Sequence, residues 1–175
     1  MAFETSDSMS DAESPLPAVN SDPLLHVVLY QPEIAPNTGA VGRTCVALGA
    51  KLWLVRPLGF RIDEKNLRRA GLDYWQHLDC QLVDNWDHLL QELHPSGWWY
   101  FSKLGTRTFT TVQYERGNAL VFGCETNGLP SNITQPNHDR LLRIPTTEKV
   151  RSLNLSCSVA VAGYEVQRQL ALEHK

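Results

Sequence analysis

The sequence predicts an α/β fold: a mostly parallel β-sheet flanked by helices. Two observations carry the prediction. Short apolar runs rich in Val, Leu and aromatic residues alternate with helix-compatible segments along most of the chain, the pattern of strand–helix–strand units. Three polar, glycine-bearing segments each follow one of those predicted strands, and ligands in parallel sheets bind beyond the carboxyl ends of strands.

Residues 1–22 are rich in Ser, Asp, Pro and Ala and have no apolar period. They read as a disordered acidic tail ahead of a single domain over 23–175. Leu24–Tyr30 is the first strand. Pro32 and Pro36 flank a loop, and Asn37 is placed to cap a helix running to about Leu48. Lys51–Val55 is the second strand. Asp63–Ala70 reads as a short basic helix stopped by Gly71. Cys80–Val83 is a strand, followed by a helix over Trp86–Leu93. Trp98–Ser102, Leu120–Gly123 and Leu141–Ile144 complete six strands, and a last helix covers about Leu153–Leu170. Its start is polar, with Ser152, Asn154 and Ser156 suited to accept from free backbone N–H groups. Val159–Gly163 then reads as a buried stretch of small residues.

No apolar run reaches eighteen residues, so no membrane span is expected. The N-terminus does not pair a basic segment with an apolar one, so it does not read as a secretory signal. The four cysteines form no CxxC pair, and the expectation is reduced thiols in a cytoplasmic protein. No His/Cys cluster has metal-ligand spacing. The net charge of −3 hides an asymmetry: the tail carries five acids and no base, leaving +2 on residues 23–175. Positions 56–69 concentrate Arg56, Arg61, Lys65, Arg68 and Arg69 against Asp63 and Glu64. That patch reads either as a solvated helix face or as a phosphate-contacting surface.

The common nucleotide and hydrolase motifs are missing: no GxxxxGK[ST], no GxGxxG and no GxSxG. Chemistry must come from the three polar segments. Gly123 through Pro130 reads either as a ligand-cradling loop, with Glu125 bonding something buried, or as a strand-to-helix turn opened by Pro130. Asn37, Thr38 and Gly39 mark a candidate anion site at a helix start. Arg43, one turn further on, is either a surface ion-pair partner or a phosphate binder. Trp75, beside the basic segment, is the best candidate to stack on a base, and Tyr164 reads first as a core aromatic.

Taken together, Asn37-Thr-Gly-x-x-x-Arg43-Thr44, Phe122-Gly-x-Glu125-x-x-Gly128-Leu-Pro130 and Ser152-Leu-Asn154-Leu-Ser156 with Tyr164-Glu165 resemble the three motifs of the SPOUT superfamily of RNA methyltransferases. The resemblance spans about Leu24 to Leu170. The compact size and Leu67-Arg-Arg-Ala-Gly-Leu-Asp-Tyr74 resemble its tRNA (cytidine/uridine-34)-2′-O-methyltransferase branch. One departure is Cys124, where related sequences often carry proline.

The resemblance implies a C-terminal trefoil knot, a topology the sheet pattern alone does not suggest. It implies S-adenosylmethionine as cofactor, a homodimer, and the anticodon arm of tRNA as partner, with 2′-O-methylation of the wobble pyrimidine ribose as the reaction. Carried over by position, Phe101, Gly105, Gly123, Glu125, Ile144, Ser152 and Leu153 line the cofactor, and Asn154 braces the knot. Arg43 is the candidate catalytic residue, supplied across a dimer. Tyr164 shapes the site or the dimer contact, and Asn37, Arg68 and Arg69 face the RNA. Two alternatives accompany this reading: a non-catalytic knotted RNA-binding protein, and a methyltransferase acting on ribosomal RNA.

Overall fold

The computed structural model describes residues 23–61 and 74–172. The predicted tail and the basic helix with Arg68 and Arg69 lie outside them. Seven parallel strands form one sheet in the order β3-β2-β1-β6-β4-β7-β5. They are β1 His26–Tyr30, β2 Lys51–Val55, β3 Cys80–Val83, β4 Trp98–Phe101, β5 Arg107–Thr108, β6 Ala119–Phe122 and β7 Leu141–Arg143. The helices are α1 Ala35–Leu48, α2 Trp86–Glu92, α3 Ser131–Thr134 and α4 Leu155–Leu172.

Alternation along the strands builds two cores. Val27, Leu29, Leu52, Leu54, Phe101, Leu120, Phe122 and Leu142 face one way, against Val41, Cys45 and Leu48 of α1 and Val159, Ala162 and Val166 of α4. Val28, Trp53, Val55, Val83, Tyr100, Val121 and Leu141 face the other way, with Leu89 of α2 and Ile133 of α3. Strands buried on both faces explain why the runs are continuously apolar rather than alternating. The small stripe on α4 lets α1 approach closely: a Cβ at Gly163 would stand 2.6 Å from Leu48 Cδ1. Of the predicted stretch Val159–Gly163, Val161 is exposed, because it lies on the face of α4 turned from α1.

Two expectations change. The first helix starts at Ala35, not at Asn37, and its N-cap residue Ile34 offers no side-chain bond. Pro36 fits the first turn, where its missing N–H costs nothing, and the cap comes from a distant carboxylate described below. The second is β5, which the pattern reading lacks. Two residues carry no period, and the strand exists through its pairing with β7.

The placement of β7 matters most for the site. Phe101 at the end of β4 and Arg107 at the start of β5 both pair with Leu142. The five residues joining β4 to β5 therefore cross β7. Gly105 makes that crossing: a Cβ there would meet the Leu142 carbonyl carbon at 2.7 Å and the Arg143 nitrogen at 2.9 Å.

Candidate functional site

A cleft of about 620 Å³ opens at the carboxyl ends of β4, β6 and β7, where a parallel sheet presents its loops. The predicted segments converge there. Phe101, Gly123, Glu125, Ile144, Ser152, Leu153, Asn154 and Asn37 all line it. Gly105 does not line it but fixes the loop that does. The floor is apolar, with Phe101 and Phe122 stacked at 4.6 Å between ring centroids.

Glu125 is bound by α1. Its carboxylate accepts from Glu33 N at 2.8 Å, Ile34 N at 3.3 Å and Asn37 Nδ2 at 2.9 Å. A carboxylate at a helix N-terminus satisfies orphan N–H groups and the helix dipole together. The free N–H groups expected at Asn37–Gly39 are not all available: Asn37 N and Thr38 N donate to Ile34 O, and the carboxylate at this helix start, Glu125, is held by donors placed earlier and by the Asn37 side chain. Glu33 returns the contact, accepting from Thr126 N at 2.9 Å and Thr126 Oγ1 at 2.7 Å. The loops after β1 and β6 form a reciprocal clasp.

Asn37 extends the clasp to the third segment. Its Oδ1 accepts from Asn154 Nδ2 at 3.0 Å. Asn154 Oδ1 accepts from Ser156 N at 2.9 Å and Ser156 Oγ at 2.7 Å, closing the first turn of α4. Both ends of the Asn37 amide are therefore engaged within the protein, rather than turned out toward a partner. The 123–130 segment is a strand-to-helix turn, and residues 123–129 of it also line the cleft. Gly123 and Gly128 pack so tightly that a Cβ on Gly123 would sit 2.0 Å from Gly128 C, and Pro130 is the N-cap residue of α3.

Arg43 and Tyr164 do not line the cleft. Arg43 is on the exposed side of α1, its guanidinium carbon 4.7 Å from the centroid of the Tyr74 ring. Tyr164 is 51% exposed on α4, not a core aromatic. Its neighbour Glu165 is structural. The hydrogen bonds from Arg168 hold its carboxyl below the ordinary range, outweighing the opposing effect of burial. Gln169 donates to the same carboxylate at 2.8 Å and also binds Tyr114 N and Val112 O, each at 3.1 Å, pinning the segment before β6 to α4. Trp75 packs on Gly42 and the α1 core instead of standing free for stacking.

The sequence reading passed over Glu33 and Thr126, whose pairing spans 93 positions. It also passed over Lys103, Arg143 and Arg151, exposed cations that line the cleft. For Arg151 the signal was its place directly before Ser152. Among the described residues no group of three or more His, Cys, Asp or Glu could hold a metal ion, and no helix is long and apolar enough to cross a membrane.

Known proteins resemble this chain over most of its described length. A Geobacillus stearothermophilus protein, provisionally named a tRNA (cytidine(34)-2′-O)-methyltransferase, is 47% identical over 148 residues, covering 83% of this chain and 94% of its own. The tRNA (cytidine(34)-2′-O)-methyltransferase of Saccharophagus degradans is 43% identical, covering 84% and 96%. A solved structure described as giving insight into 2-OH methylation of C/U34 on tRNA superposes with a TM-score of 0.76 at 45% identity, covering 84% of this chain and 96% of that one. The pattern of the SpoU rRNA Methylase family matches residues 24–164, and the chain belongs to that family.

Proposed function

We infer that this protein transfers a methyl group from S-adenosylmethionine to the ribose 2′-oxygen of the wobble pyrimidine, position 34, of tRNA. The observation that carries this reading is the convergence of the three motif segments on one cleft, in a chain whose relatives bear that activity in their names. The cleft suits the cofactor. Its volume falls within the ~300–1,000 Å³ of small-molecule sites, and an apolar floor with a few polar groups is the usual lining of such sites. Phe101, Phe122 and Leu142 supply the floor, and the main chain of 123–128 and 144–146 with Ser152 supplies polar groups.

When bound, S-adenosylmethionine supplies an electrophilic methyl group on a sulfonium. The protein's task is to align a ribose hydroxyl with it, and alignment alone is worth roughly 7–11 kcal/mol of a barrier. Gly123 and the Glu125 clasp fix the loop that holds one side of the cofactor. Arg43 orients the hydroxyl and its adjacent phosphate and stabilises developing negative charge on the oxygen. Arginine keeps its proton in proteins, so a phosphate oxygen or water takes the hydroxyl proton.

Arg43 and Tyr164 lie outside the cleft of their own chain, and this supports a homodimer in which each protomer's Arg43 serves its partner's cleft. Val161 and Tyr164, exposed on α4, are apolar surface for that contact. A trefoil knot is supported by β7 lying between β4 and β5, under a loop that precedes it in sequence. The working domain is 23–175, the location cytoplasmic, and Arg68 and Arg69 are tRNA phosphate contacts beside the anticodon arm. A ribosomal-RNA ribose is the second reading, favoured by the family's description.

The test is transfer of labelled methyl from S-adenosylmethionine to total tRNA lacking this modification and, in parallel, to ribosomal RNA, followed by nucleoside mapping. A 2′-O-methylated pyrimidine at position 34 is the expected product. Cofactor binding with label entering only ribosomal RNA would replace the substrate assignment, and absence of cofactor binding would leave a non-catalytic RNA-binding protein.

A further inference from the structure

The β4–β5 turn is rigidly built, yet it presents its largest side chains to solvent. Ser102 N donates to Leu142 O at 2.9 Å, Gly105 N to Ser102 O at 3.1 Å and Leu104 N to Ser102 Oγ at 3.2 Å. Gly105 rests directly on the backbone of β7. On this frame Leu104 is 63% exposed, the highest value among the large exposed apolar side chains of the described residues. Lys103 beside it is exposed and has no hydrogen bond, ion pair or ring contact among the described residues. Both line the cleft.

The rest of the mouth has the same character. Ile34 and Leu153 are exposed apolar residues on its other loops, and Arg151 is another cation without a partner among the described residues. Several cations elsewhere are engaged: Lys51 with Asp79, Arg56 with Asp84, Arg107 with Trp99 and Arg168 with Glu165. Among the described residues Glu125 is the one carboxylate lining the cleft, and it is spent on three donors. A fixed turn that holds apolar area in water next to unpaired positive charge is suited to a polyanion with apolar faces. S-adenosylmethionine carries a net positive charge at neutral pH, so this lip favours the nucleic acid over the cofactor.

We propose that the Lys103–Leu104 turn is a substrate-contact element of the cleft, with Leu104 packing on the nucleoside presented for methylation and Lys103 neutralising an adjacent phosphate. This rests on the RNA methyltransferase reading and is separate from contacts by Arg68 and Arg69. The experiment measures tRNA affinity between 50 and 200 mM salt, and S-adenosylmethionine affinity, for the full chain and for Lys103→Gln, Lys103→Arg and Leu104→Ser. Folding of each variant is checked by thermal unfolding. A single-stranded phosphate contact contributes about 0.7 to the slope of log affinity on log salt, or about threefold over this range. Lys103→Gln lowers the slope by that amount and Lys103→Arg restores it. Leu104→Ser weakens tRNA binding about tenfold with the slope unchanged. Cofactor affinity stays within about twofold throughout. Unchanged tRNA affinity and slope in both variants overturns the proposal. So does cofactor affinity falling in step with tRNA affinity, which would place the turn over the cofactor. Unmutated protein that binds tRNA without methylating it, and still shows the variant effects, separates failure of the reaction reading from failure of this one.

Discussion

Replacing Glu125 should unfasten the site and destabilise the fold together. The carboxylate accepts two backbone N–H groups of the β1–α1 loop and the Asn37 amide. Hydrogen bonds to a charged group are worth about 1.5–3 kcal/mol each, and partial exposure brings these to the low end or below, about 1 kcal/mol each. The helix-dipole contribution adds about 0.3–1 kcal/mol. Glu125→Ala is therefore expected to cost about 3–4 kcal/mol, a fall in Tm of about 6–16 °C for a chain of this size. Glu125→Gln keeps one acceptor but turns an amide N–H₂ toward N–H donors, so about 2 kcal/mol is expected.

The assay is urea and thermal unfolding of both variants, with S-adenosylmethionine affinity measured by calorimetry well below Tm. Because loop 123–128 lines the cleft, cofactor affinity should drop at least about tenfold even where the protein remains folded. A double-mutant cycle with Asn37→Ala isolates the side-chain bond. Residues in one hydrogen-bond network couple by about 0.5–3 kcal/mol, whereas independent sites add within about 0.5 kcal/mol. Additive energies together with Tm shifts under about 2 °C would refute the clasp.

Gly123→Ala puts a Cβ 2.0 Å from Gly128 C and 2.2 Å from Leu129 N, and backbone on both sides cannot yield cheaply. A loss of about 3 kcal/mol and of measurable cofactor binding is expected in the same assays. Arg43→Lys should cut turnover at least about tenfold while tRNA affinity holds; near-full turnover would sink the guanidinium role. Thr38 Oγ1 is buried without a hydrogen-bond partner, so Thr38→Val should raise stability by about 0.5–1 kcal/mol in thermal unfolding, and a loss above 1 kcal/mol would reveal a partner. His26 lies half-buried at the opposite end of the sheet, where burial and then Lys51 depress its pKa from 6.5 to about 4. The native state keeps it neutral while the unfolded chain takes up a proton below pH 6.5. Stability is thus unaffected above that pH and falls between 6.5 and about 4, by about 2 kcal/mol after allowance for partial exposure. Urea midpoints of His26→Gln should show a shallower decline than those of the unmutated protein, and parallel curves would contradict the assignment.

The strands were legible because parallel strands buried on both faces must be apolar throughout. Val27, Val28 and Leu29 are all fully buried, and no other element tolerates so short and continuous a run between turn residues. The cleft residues were legible only as segments. Glycine at 123 announces tight backbone and packs on Gly128, five residues on; asparagine at 154 announces helix capping, but its other partner, Asn37, lies 117 residues away. Asn37 shows the difficulty. Its position before a helical pattern favoured a cap, while its actual partners are Glu125 and Asn154, 88 and 117 positions distant. β5 was illegible in principle, since a two-residue strand is defined by its neighbour and not by its own pattern.

The same long-range pairing explains how the site tolerates its own topology. Three loops that converge at the end of a sheet have no reason to keep register unless something other than the strands joins them. Glu125, Asn37, Asn154 and Ser156 form one continuous hydrogen-bonded series through all three motif segments, and Glu33 with Thr126 doubles its first link. The cleft lies against this series. A polar chain of this kind stabilises only when every member is satisfied. Breaking one link therefore leaves unpaired donors and acceptors in the others and loosens α1, the helix that carries Arg43. A residue held in the middle of the series, such as Asn37, should affect catalysis as strongly as residues that touch the reactants. The discriminating result would be Asn37→Ala lowering turnover by about the same factor as Arg43→Lys, with tRNA affinity preserved. If tRNA affinity fell and turnover held, Asn37 would be a direct RNA contact and the bracing account would be wrong.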